Sequence, residues 1–464
     1  MASQSLISTV NGYENYIKDK GKDEQVINAY VDACSVAING EKDIEYGLQL
    51  TKRAKELIED FCTVKTGGTI WDLDYYHFKH ETTPYDLVNH YFDLFLMEAH
   101  YKFESFMIYM EKNRPPWERF YLPRRNPLSQ VAQLIQDLYD DKLDEGMVFC
   151  PGRIGKTQIV KMGNLWFGSN RPERSNLYSA YSDKITGGFY DGTLEMVNDP
   201  TYTYKDIYPK IVEKKAITDG KDLTIDFLRK KTYPTFTMRS IYGTLNGACD
   251  CDGLGVYDDL FSGIDEALSE DRQATVWGKF DNNFMPRIKP GKAKLLGIGT
   301  RWAPKDVQGR RLELLANNPE YKNIRHREVI IPALNENNES NFDYPYKLGY
   351  STLDYKRRMA SFEDNDDMAS WFAQYQQEPI ERKGQMFNID NMNFFDPAEI
   401  EGIRPDRIFS ANDPAYGGGD FVSMPICYEI EKEYYIVDVV YNDGDKDTTI
   451  PEVTSRMESH LDKF

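Results

Sequence analysis

The chain has 464 residues, of which 41% are hydrophobic and 13% aromatic, and its formal net charge is −19. This length accommodates two or three domains, each with its own core, and the composition excludes a wholly disordered chain. The acidic balance excludes a protein that coats nucleic acid by bulk electrostatics, although it leaves room for a local basic groove.

The chain shows no signal for export or membrane insertion. No apolar run approaches the roughly 18 residues that a membrane span needs. The N-terminus lacks a basic segment followed by an apolar core. The six cysteines are scattered without a C-x-x-C pair, which is typical of reduced thiols. We therefore expect a cytoplasmic protein without a zinc site.

Residues 1 to about 112 are predicted to be helical. Residues 85–106 repeat apolar side chains three and four positions apart, which indicates one buried helical stripe. Its aromatic side chains are more typical of a packed core than of a ligand site. Arg114-Pro-Pro-Trp117 breaks this pattern and predicts a domain boundary, so that residues 1–117 form a helical N-terminal region.

From about residue 118 onward, short apolar runs alternate with helical segments. This alternation predicts an α/β sheet covered by helices. The candidate buried parallel strands are residues 147–150, 176–180, 254–257 and 295–299. We expect an α/β domain at 118–380 that ends in a lid, a linker at 381–404, and a second α/β domain at 405–464.

A phosphate-binding loop is predicted where the first strand ends. Residues 151–157 read Pro-Gly-Arg-Ile-Gly-Lys-Thr and lead into a helical pattern. Cys150 stands where the usual motif begins with glycine, so the strand–loop–helix context supports the prediction. The alternative is an ordinary turn with Lys156 in solvent. The residues predicted to bind ATP are Gly152, Arg153, Ile154, Gly155, Lys156 and Thr157.

Two acids follow a later apolar run, in Gly253-Leu-Gly-Val-Tyr-Asp258-Asp259. With the Thr157 hydroxyl, Asp258 is predicted to hold Mg²⁺, through water, and Asp259 to orient and deprotonate the attacking water. The alternative is a solvated turn, and the joint occurrence with Gly155-Lys156-Thr157 favours the site. Thr300, at the end of the strand 295–299, is predicted to be a γ-phosphate sensor.

Two arginines allow two interpretations each. Arg301 follows the predicted sensor and either faces the γ-phosphate or forms a structural salt bridge. Arg153 lies within the phosphate loop, where it could stabilise the transition state in cis. An exposed arginine without a catalytic role is the alternative for Arg153.

In their order along the chain, these segments resemble the large subunits of tailed-bacteriophage terminases over roughly residues 115–464. The chain departs from the family twice. Asp259 stands where many members have glutamate, and Asn246-Gly-Ala248 lacks an arginine expected there. The segments that carry the resemblance are Pro151 and Arg153 ahead of Gly-Lys-Thr, Tyr178-Ser-Ala-Tyr-Ser-Asp183, Val256-Tyr-Asp-Asp-Leu-Phe261, Ser269-Glu-Asp-Arg272 with Trp277, Pro290-Gly291, Gly299-Thr-Arg-Trp302, Trp371-Phe-Ala-Gln-Tyr-Gln-Gln-Glu-Pro379, Phe409-Ser-Ala-Asn-Asp413-Pro-Ala and Gly418-Gly-Asp420.

The resemblance implies an α/β fold with a P-loop NTPase parallel sheet and a helical N-terminal region, followed by an incomplete ribonuclease-H-like nuclease domain. It implies an ATPase that uses ATP and Mg²⁺ to drive double-stranded phage DNA into a procapsid through the portal protein, in the host cytoplasm. The implied partners also include the small terminase subunit and further copies of the chain in a ring. No membrane is implied, and residues 1–112 match no family.

For the nuclease domain, the resemblance implies acidic residues that hold two divalent ions, Mg²⁺ or Mn²⁺. Asp413 would be the first metal ligand, and Asp420 would assist from the glycine-rich turn. Asp438 is interpreted as structural. Because the sequence stops at Phe464, before the strand expected to carry the next ligand, we expect this chain not to cut DNA efficiently.

Two other functions stay open from the residues. One is a DNA-binding assembly module that uses nucleotide structurally, and the other is a helicase-type ATPase on single strands. Duplex binding is expected from a few basic clusters, Arg287-Ile-Lys289 to Lys294 or Arg325-His-Arg327, and it should weaken steeply with salt.

Overall fold

The fold is taken from a computed structural model, which describes residues 2–80, 87–214, 216–228, 232–380, 393–412, 422–442 and 444–464. The chain divides into two compact units, Met1–Arg382 and Lys383–Phe464. Among the described residues, no helix is long and apolar enough to cross a bilayer.

The first unit begins with helices whose first turns are capped by polar side chains. Ser3, Asp23 and Asp43 each accept a hydrogen bond from a backbone N–H of the following turn, which satisfies donors that a helix leaves free. These helices are α1 Gln4–Lys20, α2 Glu24–Ser35, α3 Ile44–Thr66, α4 Ile70–His80, α5 Leu87–Glu98, α6 Phe103–Met110 and α7 Tyr121–Tyr139.

The prediction of one helical stripe over residues 85–106 is wrong in one respect, because the structure has two separate helices there, α5 and α6. The chain turns between α5 and α6, and Lys102 adopts an extended backbone ahead of α6. The turn surrounds Glu98, whose buried carboxylate accepts hydrogen bonds from Lys55, Lys102 and Ser105. The apolar spacing continues across the break because both helices bury a stripe, so periodicity alone does not reveal the turn.

The N-terminal helices and the following sheet bury their side chains in one common core. That core runs from Leu57 of α3 and Phe106 of α6 to Val148 in the first strand. A buried ion pair between Asp74 and Arg119 ties α4 to the segment ahead of α7. The sequence break at residues 114–117 therefore separates helices within one compact unit.

An eight-stranded, mostly parallel sheet forms the centre of this unit. Its strand order is β3-β4-β5-β2-β6-β7-β1-β8, and only the pairings β3–β4 and β4–β5 are antiparallel. The strands are β1 Glu145–Phe149, β2 Asn176–Ala180, β3 Ile217–Asp219, β4 Thr224–Asp226, β5 Phe236–Ser240, β6 Leu254–Asp258, β7 Lys294–Gly299 and β8 His326–Ile330.

The strands predicted from continuous apolar runs are β1, β2, β6 and β7. All four are buried along their whole length, and each pairs only with parallel strands. This confirms the α/β prediction. The structure adds β5, whose sequence Phe-Thr-Met-Arg-Ser mixes polar and apolar residues, and β8, a partly exposed edge strand. Strand β7 lies between β1 and β6, so its end is placed beside both the phosphate loop and the acids.

Helices cover the sheet and continue into the region predicted as a lid. They are α8 Lys156–Asn170, α9 Asp183–Asn198, α10 Tyr204–Ile207, α11 Pro209–Lys214, α12 Ile264–Leu268, α13 Glu270–Lys279, α14 Val307–Asn317, α15 Thr352–Asp364 and α16 Met368–Gln374.

The second unit contains a three-stranded antiparallel sheet of order β11-β10-β9 and one helix. Its elements are β9 Arg407–Ser410, β10 Val422–Ile430, β11 Glu433–Asn442 and α17 Lys446–Leu461. Met424, Ile426 and Val440 form its small core. Three strands followed by a helix thus lie within the region 405–464 that was predicted as a second α/β domain.

Candidate active site at the carboxyl edge of the sheet

The predicted phosphate loop, residues 151–157, connects the end of β1 to the start of α8. Gly155 precedes α8 with φ of +105°, a conformation that favours glycine, and an added Cβ there would lie 2.5 Å from a ring carbon of Phe120. Cys150 is fully buried in the common core. The missing glycine is therefore tolerated because position 150 packs like the end of a buried strand. The turn depends on Gly155.

Lys156 joins the ends of three strands. Its Nζ lies 2.6 Å from Thr300 Oγ1 and 2.8 Å from Asp259 Oδ2. The Lys156 side chain is buried, which by itself would lower the pKa of its ammonium, but the carboxylates of Asp259 and Asp258 outweigh burial and raise it. The lysine is therefore a permanent positive charge at this edge of the sheet.

Asp259 stands at a strained backbone position, with φ of +39°. Its Oδ1 accepts a hydrogen bond of 2.8 Å from the Thr300 N–H, while Oδ2 faces Lys156. Strain of this kind persists where the surrounding structure fixes a functional group. The three predicted residues Lys156, Asp259 and Thr300 thus form one hydrogen-bonded cluster.

Asp258 lies directly beside this cluster and is deeply buried. Its Oδ2 accepts hydrogen bonds from Thr157 Oγ1 at 3.0 Å and from the Tyr178 hydroxyl at 2.9 Å. Burial, and then the neighbouring Asp259 carboxylate, raise the pKa of Asp258 to about 7. Tyr178 stacks on Phe189, with the ring centroids 3.6 Å apart. From the sequence, Tyr178 was identified only as part of a family motif, and its hydrogen bond to Asp258 was not predicted.

The other oxygen of Asp258, Oδ1, is buried and has no hydrogen-bond partner among the described residues. A bare buried carboxylate oxygen beside the Thr157 hydroxyl fits a Mg²⁺ ion that keeps water and phosphate ligands. No group of three or more His, Cys, Asp or Glu side chains suited to a metal ion occurs in the described ranges. The residues fit a magnesium ion shared with a phosphate ligand.

Arg301 takes the structural alternative. Its Nε donates to both oxygens of Asp306, at 3.1 and 3.0 Å, and its side chain is 10% exposed. Its backbone N–H donates to Gln377 Oε1 at 3.1 Å. The guanidinium is thus held in a buried ion pair with Asp306, which favours the structural alternative, and a catalytic role for Arg301 stays a prediction.

A cavity of about 790 Å³ adjoins the phosphate loop at Asp259 and Thr300; we call it the arginine cavity. Arg153 lines it, exposed and with φ of +65°, together with Gly152. The remaining lining residues belong to the end of β7 and to the lid and are Trp302, Tyr350, Asp354, Tyr355, Arg357, Arg358, Ser361, Gln374 and Tyr375. The contribution of α15 was missed because its arginines follow one another in a plain helical sequence.

The lid is hydrogen bonded to both sides of the site. The Tyr344 hydroxyl donates to the carbonyl oxygen of Ile154 in the phosphate loop, at 3.3 Å. On the other side, Gln377 accepts the backbone N–H of Arg301, as described above. Both lid residues are well buried. The segment Trp371–Pro379, which carries part of the family resemblance, therefore holds the chain directly after Thr300, the predicted sensor.

The basic clusters predicted to grip DNA are largely neutralised. Lys294 lies 2.5 Å from Asp141 and 3.0 Å from Asp144, and Arg325 contacts the same two carboxylates. Arg327 pairs with Asp137, and Lys289 pairs with Asp250. These paired side chains therefore offer less free charge to a duplex than the sequence alone indicated, and duplex binding by the clusters stays a prediction.

The nuclease residues Asp413 and Asp420 lie outside the described residues, so their metal-binding role stays a prediction. Asp438 accepts hydrogen bonds from His460 Nε2 at 3.0 Å and Arg456 at 3.1 Å, which supports its structural interpretation. A separate cavity of about 940 Å³, lined by Ile44, His100 and Gln136 among others, lies among the helices and holds none of the predicted site residues.

No protein-family model matches the sequence, and the search of curated proteins finds no match. Among solved structures, the chain is similar to the large terminase of bacteriophage HK97, with 15% identity over 67% of this chain and 61% of that one, and a TM-score of 0.38. It is also similar to the large terminase of a thermophilic bacteriophage in complex with ADP, with 13% identity over 72% and 74% of the two chains and a TM-score of 0.31. The chain thus spans 61% of the HK97 protein. Similarities at these identities and TM-scores support no activity by themselves.

Proposed function

We propose that this chain is an ATP-hydrolysing DNA-packaging motor, the large subunit of a tailed-phage terminase. The observation that carries the ATPase is the convergence of Lys156, Thr157, Asp258, Asp259 and Thr300 within hydrogen-bonding distance at one edge of the sheet. The order of motif segments along the chain supports the choice of terminase among ATPases.

The phosphate loop accounts for nucleotide binding. The backbone N–H groups of residues 152–157 and the start of α8 would surround the phosphates, and the helix dipole favours negative charge there. The Lys156 ammonium would reach the terminal phosphates. Gln158, directly after Thr157, lines a separate cavity of about 420 Å³ with Phe120 and Arg124, which we assign to the nucleoside.

Thr157 and Asp258 are the residues that would hold Mg²⁺, the threonine directly and the aspartate through water. When bound, Mg²⁺ neutralises charge on the terminal phosphates. The Tyr178 hydroxyl holds one oxygen of Asp258, so that the bare Oδ1 is the oxygen left for the hydrated ion.

Asp259 is the proposed general base. A water oxygen forms a bond to the γ-phosphorus while the bond from that phosphorus to the β–γ bridging oxygen breaks, and ADP leaves with the electron pair. Asp259 accepts a proton of the attacking water. The phosphates would take over the bonds that Lys156 makes to Asp259 and Thr300, which frees the carboxylate for this role. Arg153 is placed to add positive charge at the same end.

Thr300 is the proposed link between hydrolysis and movement. Its hydroxyl touches Lys156, its N–H touches Asp259, and the next residue is bonded to the lid through Gln377. A change at the terminal phosphate therefore has a short hydrogen-bonded route to α15 and α16.

The remaining assignments follow the terminase proposal. We propose double-stranded phage DNA, the portal protein, the small terminase subunit and a ring of further copies as partners, at the procapsid in the host cytoplasm. For the second unit we propose the start of a ribonuclease-H-like nuclease domain with Mg²⁺ or Mn²⁺. The antiparallel β9–β11 sheet followed by α17 supports this topology.

The test is Mg²⁺-dependent ATP hydrolysis by the chain alone, with single-stranded DNA, with duplex DNA, and with duplex DNA plus portal-bearing procapsids. We expect turnover to rise most with the last mixture. Stimulation by single strands alone would favour a helicase-type ATPase. Nucleotide binding without turnover under every condition would favour an assembly module that uses nucleotide structurally.

A further inference from the structure

The arginine cavity has hydrogen-bond donors without partners. The Trp302 Nε1 and Tyr355 hydroxyl atoms have no partner among the described residues, but burial seals them from the cavity, so its accessible donors are those of the arginines. The Arg153 and Arg357 guanidinium groups form no hydrogen bond or ion pair within the same described ranges, and both line the cavity. Arg358 uses only its Nε, which donates to the Tyr375 hydroxyl at 3.1 Å. The cavity walls therefore contain cationic hydrogen-bond donors that remain free to bind a ligand.

The two carboxylates in the same walls already have partners within the protein, Asp259 through both oxygens and Asp354 through Oδ2. Asp259 accepts from Thr300 and faces Lys156. Asp354 closes a capping box with Ser351, accepting from its hydroxyl at 2.6 Å and its N–H at 2.9 Å. Because the acids have partners and several of the donors lack them, the complement of this cavity is an anion with several acceptor oxygens.

The position of the cavity limits which anion arrives there. It opens at Asp259 and Thr300, the two residues that contact Lys156, and a phosphate-loop lysine reaches the terminal phosphates. The nucleoside lies at the other end of the phosphate chain. The volume, about 790 Å³, accommodates a phosphate with its water.

We infer that the arginine cavity is a holding site for inorganic phosphate, the product cleaved from ATP, with Arg357 of α15 as its main ligand beside Arg153 and Arg358. The inference rests on the proposed function, since it takes ATP hydrolysis as the source of the phosphate. Because α15 belongs to the lid, phosphate held by Arg357 keeps the lid on the site until the product leaves.

The test is titration calorimetry of inorganic phosphate into the full chain saturated with Mg²⁺ and ADP. Arg357→Gln is compared with Lys356→Gln, which removes the same charge from the preceding residue of α15 but not from the cavity wall. We expect saturable binding by the wild type and about fivefold weaker binding by Arg357→Gln, because an exposed charge-assisted contact is lost. Lys356→Gln should stay within about twofold.

Several results would overturn the inference. These are no phosphate binding by a wild type that binds ADP and hydrolyses ATP, equal weakening by both variants, or an unchanged Arg357→Gln. Loss of ADP binding in Arg357→Gln alone would assign the cavity to the nucleotide itself. If Arg357→Gln weakens binding of a duplex oligonucleotide but not of phosphate, the cavity receives a nucleic-acid phosphate. A wild type that neither binds ADP nor hydrolyses ATP would instead defeat the proposed function, and this inference with it.

Discussion

Each edge of the parallel sheet carries a buried lysine beside carboxylates. At the amino edge, Lys294 and Arg325 each contact Asp141 and Asp144 at the starts of neighbouring strands. At the carboxyl edge, Lys156 contacts Asp259 and Thr300. Both lysines are buried, with 8% and 6% of their surface exposed. Charge and burial alone therefore do not distinguish the two edges.

The carboxylates at the two edges differ in the direction of their pKa shifts and in their hydrogen bonding. The hydrogen bond from Arg325 holds the pKa of Asp144 well below its usual range. Burial, followed by the Asp259 charge, raises the pKa of Asp258 to about 7, and one of its oxygens has no partner among the described residues. At the amino edge the carboxylates form ion pairs with Lys294 and Arg325, whereas at the carboxyl edge a buried oxygen of Asp258 remains available to a ligand. A carboxylate with a raised pKa and an oxygen without a partner indicates a functional site more reliably than charge alone.

A large contrast, second only to that of the two buried lysines compared at the end, is expected when the same substitution is made at each edge. Asp259→Asn keeps the shape of the side chain but removes the base, so turnover should fall about a hundredfold while ATP still binds. Asp144→Asn, at the amino edge, should change turnover per folded molecule by less than about twofold. Steady-state hydrolysis and nucleotide titration measure both. A variant Asp259→Asn that fails to bind ATP, yet turns over normally when loaded, would make Asp259 a binding residue.

A smaller effect is expected when the hydrogen bond from Tyr178 to Asp258 is removed. Tyr178→Phe keeps the stacking on Phe189 but removes the hydroxyl that fixes Oδ2. The Mg²⁺ concentration for half-maximal hydrolysis should rise about tenfold, as expected for one lost hydrogen bond to a charged group. Thermal unfolding serves as the control. If turnover at saturating Mg²⁺ falls while the Mg²⁺ requirement stays fixed, Tyr178 does not act through the metal.

The smallest effect concerns duplex DNA at the amino edge. Because Lys294 and Arg325 are paired with Asp141 and Asp144, replacing both with glutamine should change duplex affinity by less than about twofold. The dependence of the binding constant on salt should keep its slope, since each lost phosphate contact would lower it by about one. A slope reduced by about two units would show that these residues do contact DNA.

The sequence was sufficient for elements whose signal is local. Continuous apolar runs located β1, β2, β6 and β7, and the Gly155-Lys156-Thr157 ending located the phosphate loop despite Cys150. Strand β5 was missed because polar and apolar residues mix in it, and β8 because it is a partly exposed edge strand. A helix break between two apolar stripes has no periodicity signal, which is why α5 and α6 were predicted as one.

The partners of charged residues could not be predicted, because they depend on tertiary contacts. Lys294 finds Asp141 across 153 residues, and Tyr178 finds Asp258 across 80. Arg301 meets Asp306 only five residues away, but a local pair is one of two outcomes for an arginine at a strand end. The predicted nuclease ligands Asp413 and Asp420 lie outside the described residues and remain predictions.

The most direct test of the central claim compares two buried lysines, Lys156→Ala and Lys294→Ala, for Mg²⁺-dependent ATP hydrolysis per folded molecule. Each lysine has two close acceptors, and the two lie at opposite edges of one sheet. We predict that Lys156→Ala lowers turnover about a thousandfold, because the terminal phosphates lose their fixed positive charge. Lys294→Ala should lower thermal stability while leaving turnover within about twofold of the wild type. Normal hydrolysis by Lys156→Ala, or equal loss in both variants, would contradict the assignment of the carboxyl edge as the ATPase site.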